Sequence, residues 1–401
     1  MNVKEYIEKN LRKTVRVKGG LEGALDLPYR YTSPCAEGLF DDLYYWDTYF
    51  INIALLEEGL DELALNNILD FCYLIEKYGF IPNSANSGML NRTQVPLFSL
   101  MCEEYLTKNP SLELEKKLFY YMEKEYNFWM TNRVLSNGLN AYKSHATKEF
   151  YEFFSKEYIS RVNYKNDAKS LEEIGFCALA ECESGWDFSL RFEGNCPYFA
   201  PVDLNSILYR TELVLAKFSS ELGLERDYLS KANKRKERMD ELMLKDGLYY
   251  DYDSLNNKTS SYMNAAMFFP YALGVSSTSK TFSKLCDSLI YEHGLACGTK
   301  VEKSQILQWS YPNMWPNLVL MAFKACINLK EYEYASIIGN KFLDNVEEEF
   351  RRTNKLWEKY DVEDGGKSIH NEYSETEMMG WTAATYLYVR KECLKYGFRK
   401  E

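Results

Sequence analysis

Histidine is scarce in this sequence. Only His145, His293 and His370 occur among 401 residues, and none stands in an H-E-x-x-H pair. That spacing would set two imidazoles on one helix face for zinc. A Ser-His-Asp triad would have to draw on one of the three, and no G-x-S-x-G elbow is present. Glycine-rich phosphate loops are missing as well. The pairs Gly19-Gly20 and Gly365-Gly366 lack the Lys-Ser/Thr ending of such a loop and read as turns. The ten cysteines include no C-x-x-C pair and sit mostly among apolar neighbours, as buried thiols do. No apolar run approaches the roughly 20 residues of a membrane span, and the N-terminal residues carry charges rather than an apolar signal region. Positive charge is the minority, 48 Lys and Arg against 59 Asp and Glu, which argues against nucleic acid as a partner. These absences predict a cytoplasmic protein that needs no metal or other cofactor and binds neither membrane nor nucleic acid. They leave the oligomeric state open.

What the chain has in quantity is helix-forming pattern and aromatic side chains. Leu65, Leu69, Cys72 and Ile75 recur at three- and four-residue steps, and Gly79 follows as a helix stop. Residues 203–222 repeat the pattern, with Asp203 as the expected N-cap and Gly223 as the end. Similar stripes over 3–13, 47–58, 96–107, 112–132, 147–157, 226–243, 259–274, 278–291, 316–328, 331–349 and 375–394 bring the expected helices to 13. Strand signals are few, the clearest being a hairpin within 247–262. No Pro/Gly/Ser linker divides the chain. The expectation is one all-α domain over 1–401 made of packed helical hairpins, with residues 1–28 as an N-terminal helical extension lying on it. A closed toroid of helix pairs fits that pattern.

Between the helices run polar-aromatic segments, 29–46, 79–95, 184–202, 294–315 and 351–374, where binding residues on a rigid scaffold concentrate. Two of them set a carboxylate among rings: Trp186-Asp187-Phe188 and Trp357-Glu358-Lys359-Tyr360. An apolar wall disfavours the charged carboxylate and so equips it to act as an acid near neutral pH. Each residue also has a plainer reading. Asp187 could cap a helix or pair with Arg191, Glu358 could belong to a solvated charge run, and Asp47 could be the N-cap of the helix after Trp46.

Taken together and in order, these segments resemble the trehalases of glycoside hydrolase family 37, from about residue 30 to about 390. Phe40-Asp41-Asp42-Leu43-Tyr44-Tyr45-Trp46-Asp47-Thr48-Tyr49-Phe50 is similar to the first family signature. Gly79 to Asn83 and Leu90 to Pro96 resemble the next sugar-binding loop. Glu183-Ser184-Gly185-Trp186-Asp187-Phe188-Ser189 matches the general-acid segment without a change. Gln308 to Pro316 follows the second signature, and Glu358-Lys359-Tyr360-Asp361-Val362 the general-base segment. Glu372-Tyr373 and Gly380-Trp381-Thr382 come after it as in the family.

The resemblance implies an (α/α)6 toroid with a few short strands in its loops, and hydrolysis with inversion of an α-glucosidic bond, α,α-trehalose giving two glucose. Asp187 then corresponds to the general acid and Glu358 to the general base. The implied substrate contacts are Phe40, Trp46, Asp47, Asn83, Arg92, Gln94, Glu149, Trp186, Gln308, Trp309, Glu372 and Trp381. The chain departs from the family at three places. Leu39 stands for an Arg, Ser310 for an Asp, and His145 to Phe150 align with an R-P-R-P-E-S stretch of which only Glu149 is kept. Arg161, a little downstream, is the candidate to compensate. These losses keep a second substrate reading alive, an α-glucoside with another leaving group such as a glucosylglycerate. A non-catalytic sugar-binding toroid is the third.

Overall fold

The computed structural model describes residues 1–162, 168–278, 280–302, 306–370, 376–377 and 380–400. Fourteen α-helices follow one another among them. They are α1 (Val3–Asn10), α2 (Tyr45–Glu57), α3 (Asp61–Tyr78), α4 (Phe98–Lys108), α5 (Leu112–Asn132), α6 (Lys148–Val162) and α7 (Leu171–Ser184), then α8 (Val202–Glu221), α9 (Tyr228–Leu242), α10 (Phe269–Ala272), α11 (Phe282–Leu289), α12 (Pro316–Leu329), α13 (Tyr332–Thr353) and α14 (Gly380–Lys395).

The helices are of two kinds, and the sequence dictates which. In α2 every residue from Tyr45 to Leu55 is buried, and in α12 every residue from Pro316 to Phe323. A helix apolar on all sides has to be enclosed by others. In α3, α5, α9 and α13 a single stripe is buried and the opposite face is polar. The enclosed helices touch in a circuit: α2 meets α4, α4 meets α8, α8 meets α10, then α12, α14 and α2 again. The amphipathic ones lie outside, α3 on α2 and α4, α9 on α8, and α13 on α12 and α14. The contact of α14 with α2 needs a glycine. A Cβ on Gly380, the first residue of α14, would lie 2.0 Å from Ile51 Cγ1 of α2.

Among the described residues the named strands are two residues long and lie in the connections. The predicted hairpin is present as Tyr252–Asp253 paired with Lys258–Thr259, and Phe199–Ala200 joins its other edge, all antiparallel. The pair Asn313–Met314 with Tyr360–Asp361 ties the segment before α12 to the one holding Glu358.

Several elements differ from their expected form. Helix α7 carries no stripe because Ile174, Gly175, Cys177, Ala178, Leu179, Ala180 and Cys182 are buried around it. The helix expected over 259–274 is a 3₁₀ turn at Ala265–Phe268 and one α turn, capped by the Asn264 side chain. Helix α8 is capped by Pro201, and Asp203 sits inside its first turn. Residues 1–28 are not a helical layer laid over the domain. Helix α1 ends at Asn10, Val15–Arg16 pairs with Tyr31–Thr32, and Val3, Ile7 and Leu11 belong to the main core. Among the described residues, no helix is long and apolar enough to cross a membrane.

Candidate active site

The N-terminal ends of α2 and α14 and the loops before α8 and α12 converge on one cavity of about 310 Å3, near the lower end of the ~300–1,000 Å3 usual for small-molecule sites. Both Asp187 and Glu358 line it, and so does Asp47. Phe40, Trp46, Asn83, Arg92 and Gln94 form one part of the wall, and Gln308, Trp309 and Trp381 another. Tyr44, Met89, Phe154, Arg161, Cys182, Gly185 and Trp315 complete it. Tyr44, Gly185 and Trp315 stand in the motifs quoted for the resemblance, Met89 lies in the segment 79–95, and Arg161 is the residue named as the candidate to compensate. Phe154 and Cys182 gave no separate signal, because a lone Phe or Cys is indistinguishable from core.

Asp187 follows the end of α7. Gly185 closes that helix in the left-handed region, φ 74°, and a Cβ there would lie 2.8 Å from the Trp46 ring. The glycine therefore turns the chain and lets Trp46 pack against the turn. Asp187 lies beyond that cap and begins no helix. Nor is Arg191 available to it, since Arg191 is held in two-pronged contacts by Asp203 (2.6 and 2.9 Å) and Asp251 (both 2.8 Å), all fully buried. The Arg191 guanidinium lies over the Trp186 ring at 4.8 Å. Trp186 is itself fully buried and is not part of the cavity lining.

Glu358 is buried, with Lys359 Nζ 3.4 Å from its Oε2. Its main chain is fixed by α14: Trp381 Nε1 donates to the Glu358 carbonyl (2.9 Å), and Thr382 Oγ1 donates to that of Trp357 (2.7 Å). Asp47 occupies the first turn of α2, whose N-cap is Tyr44. Burial pushes the Asp47 carboxyl up to about 8, its own amide opposes this, and the charges of Glu358 and Asp187 raise it further. Three carboxyl groups thus share one field, and Asp47 holds its proton at neutral pH.

The loop between α3 and α4 is pinned to the rest by Glu183. That buried carboxylate accepts from Arg133 Nε (2.7 Å) and Nη2 (2.9 Å), and from the amides of Thr93 and Lys143 (both 2.9 Å). Gln94 Oε1 accepts from the Trp46 amide at 3.0 Å, and Asn83 Nδ2 donates to the carbonyls of Thr93 and Cys182. Five of the seven tryptophans cluster here: Trp309 stacks on Trp315 at 3.7 Å, and Trp46, Trp186 and Trp381 meet these two edge-on or tilted, all but Trp186 lining the cavity. Two buried donors in this wall, Arg92 Nε and Trp309 Nε1, have no hydrogen-bond partner within the protein. A buried donor left unpaired on a cavity wall can be satisfied by an acceptor inside the cavity, so a ligand rich in oxygen suits it.

Glu149 does not join this wall. It is exposed in the first turn of α6, where backbone and Thr147 hydrogen bonds lower its carboxyl. A carboxylate is favoured at a helix start, and the helix begins there instead of passing a loop across the cavity. Glu372 lies outside the described residues. Ser310 turns away, exchanging hydrogen bonds with the main chain of Leu307 (both 2.8 Å), and Leu39 is exposed and off the cavity. Among the described residues no group of three or more His, Cys, Asp or Glu is placed to hold a metal ion. A larger cavity of about 860 Å3 lies among the C-terminal ends of α2, α4 and α12. Its charges are already paired, Arg210 with Glu103 and Lys391 with Glu57, and none of the proposed acid, base or substrate-contact residues lines it.

Two acids on the wall of one tryptophan-lined cavity, in a helical domain, have the make-up of a glycoside hydrolase site. The trehalase family model matches residues 3–393, and the chain belongs to that family, glycoside hydrolase family 37. A periplasmic trehalase from Xanthomonas oryzae pv. oryzae is 31% identical over 415 residues, covering 95% of this chain and 71% of that protein. One from Escherichia coli O1:K1 is 31% identical, over 90% of this chain and 68% of its own length. Among solved structures, a neutral trehalase from Saccharomyces cerevisiae superposes with a TM-score of 0.77 at 24% identity, over 100% of this chain and 80% of that one. A family 63 mannosylglycerate hydrolase from Thermus thermophilus gives 0.66 at 15% identity, over 98% of this chain and all of the other. At those identities the two structures speak for the fold, a mostly helical single domain.

Proposed function

We propose that this trehalase-family hydrolase cleaves α,α-trehalose to two glucose with inversion, within an (α/α)6 toroid whose inner ring is the circuit of α2, α4, α8, α10, α12 and α14. The observation that carries the reading is that Asp187 and Glu358, 171 positions apart (358 − 187), line one sugar-sized cavity together with Asp47. Asp187 gives its proton to the glycosidic oxygen. Glu358 takes a proton from a water molecule that attacks the anomeric carbon from the opposite face. The two carboxyl groups of an inverting pair stand roughly 6.5–9.5 Å apart to admit that water. Protonated Asp47 donates to a sugar hydroxyl, and Asn83, Arg92, Gln94 and Gln308 hold others. Glu372 is proposed for the same glucose on the family resemblance alone.

The experiment is a substrate panel of trehalose, glucosylglycerate, kojibiose and maltose, read by glucose release. The largest kcat/KM on trehalose supports the reading; preference for another member replaces it. One observation favours such a replacement: Leu39 and Ser310, which stand where the family has Arg and Asp, do not line the cavity, and neither does Glu149, the one residue kept from the arginine-containing stretch. The proposed compartment is the reducing cytoplasm, on the ground that all ten cysteines are buried and unpaired. Cell fractionation tests this, and recovery with the periplasm would refute it.

A further inference from the structure

The cavity wall beside Asp187 has a core of its own. Tyr158, Val162, Ile174, Ala178, Cys182 and Phe188 pack together apart from the main core. This small core joins α6 to α7 and to the peptide that carries Asp187. Phe154, Tyr158 and Arg161 follow at four- and three-residue steps, so they share one face of α6. Tyr158 meets the Phe188 ring edge-on at 4.7 Å, and the Arg161 guanidinium lies over the same ring at 5.2 Å. Phe188 is the next residue after Asp187. Both Phe154 and Arg161 reach the cavity, and Arg161, being exposed, stands at its mouth. The Cys182 thiol, raised chiefly by burial, also feels Asp187, Arg92 and Arg161, which places those three charges around one point.

Inversion divides such a cavity in two. The attacking water and the leaving group occupy opposite faces of the anomeric carbon. Glu358 belongs to the side built by α14 and the segment before it. Asp187 protonates the departing oxygen, so the leaving group lies on the Asp187 side, where α6 forms the wall. We propose that Arg161, with Phe154 beside it, is the specificity-determining contact of the leaving-group subsite, and that the subsite takes a neutral hexose. The guanidinium fork donates to the hydroxyls of the hexose while its C–H face lies on the Phe154 ring. This assignment rests on the hydrolase reading above.

The test compares wild type, Arg161→Ala and Arg161→Lys on trehalose and on α-glucosyl fluoride, whose departing fluoride brings no sugar to the subsite. The expected result is a fall in kcat/KM on trehalose of about ten- to a hundredfold for Arg161→Ala, with the fluoride changed less than about threefold. Arg161→Lys recovers only part, because a lysine has no fork. Fluoride also departs with little help from an acid, so the basic limb of the kcat–pH profile on trehalose is the second readout. It stays in place if Arg161 acts on the leaving group. A moved limb, an equal loss on both substrates, or no loss on either overturns the assignment. If wild type cleaves the fluoride but not trehalose, the trehalose reading falls and Arg161 is judged by the same ratio on the α-glucoside that is cleaved. Failure of wild type on every α-glucoside overturns both.

Discussion

The indole N–H of Trp381 donates to the main-chain carbonyl of Glu358 at 2.9 Å, fastening the segment of the proposed base to the second residue of α14. The same ring meets Trp46 of α2 at 5.9 Å and Trp315 at 5.5 Å, so three chain segments are set by one side chain. Trp381→Phe keeps an aromatic wall and removes that donor from a buried carbonyl. Stability is expected to fall by about 1–3 kcal/mol, and kcat on trehalose by about ten- to a hundredfold as the carboxylate loses its position. Urea denaturation and steady-state kinetics measure the two. Parent-like kcat in a folded variant would show that Glu358 is held by other contacts.

Asp187→Asn and Glu358→Gln each remove a proton-transfer group while keeping shape. Each is expected to cost about 10²–10⁴ in kcat, with unchanged circular dichroism and unfolding midpoint. Near-normal turnover in either variant removes that residue from its role.

Asp47 gives a pH dependence whose sign follows from its carboxyl, pushed up to about 8 by burial first and by Glu358 and Asp187 next. The unfolded chain releases this proton near pH 4, while the folded protein keeps it until about 8. Between those values the folded state binds more protons, so stability falls as pH rises and levels off above about 8. The contribution is fully present below about pH 4. Asp47→Asn is expected to flatten that slope in urea titrations of the ligand-free protein. An identical slope in parent and variant would mean that Asp47 ionises in the fold as it does unfolded.

Gly185→Ala places a methyl group against the Trp46 ring on a backbone in the left-handed region. A loss of about 2 kcal/mol or more is expected from the conformation and the overlap together, with lowered kcat because Asp187 follows two residues later. A change below about 0.5 kcal/mol would contradict the close packing of α2 against this turn.

How much of this was legible in the sequence depends on how each residue is placed. Helix α3 and its Gly79 stop were readable because one stripe is buried and the rest is wet. Helix α7 was not, because enclosure on all sides erases the period, although Ser170 and Glu173, which form its capping box, stand at the right spacing. Asp187 and Glu358 were recognisable only as members of ordered motifs, since a carboxylate between two rings is common. Glu149 was misplaced because alignment to a motif carries identity and not backbone: a helix starts there and turns the side chain to solvent. Arg191 shows the reverse case. Its partners Asp203 and Asp251 lie 12 and 60 positions away, beyond anything local pattern can pair.

Proton NMR of the first minutes of trehalose hydrolysis tests the account most directly. Attack by water on the face opposite the bond converts one glucose to the β-anomer, while the departing glucose keeps its α configuration. The account predicts α- and β-glucose in equal amounts before mutarotation. Release of α-glucose alone would contradict the pairing of Asp187 as acid with Glu358 as base.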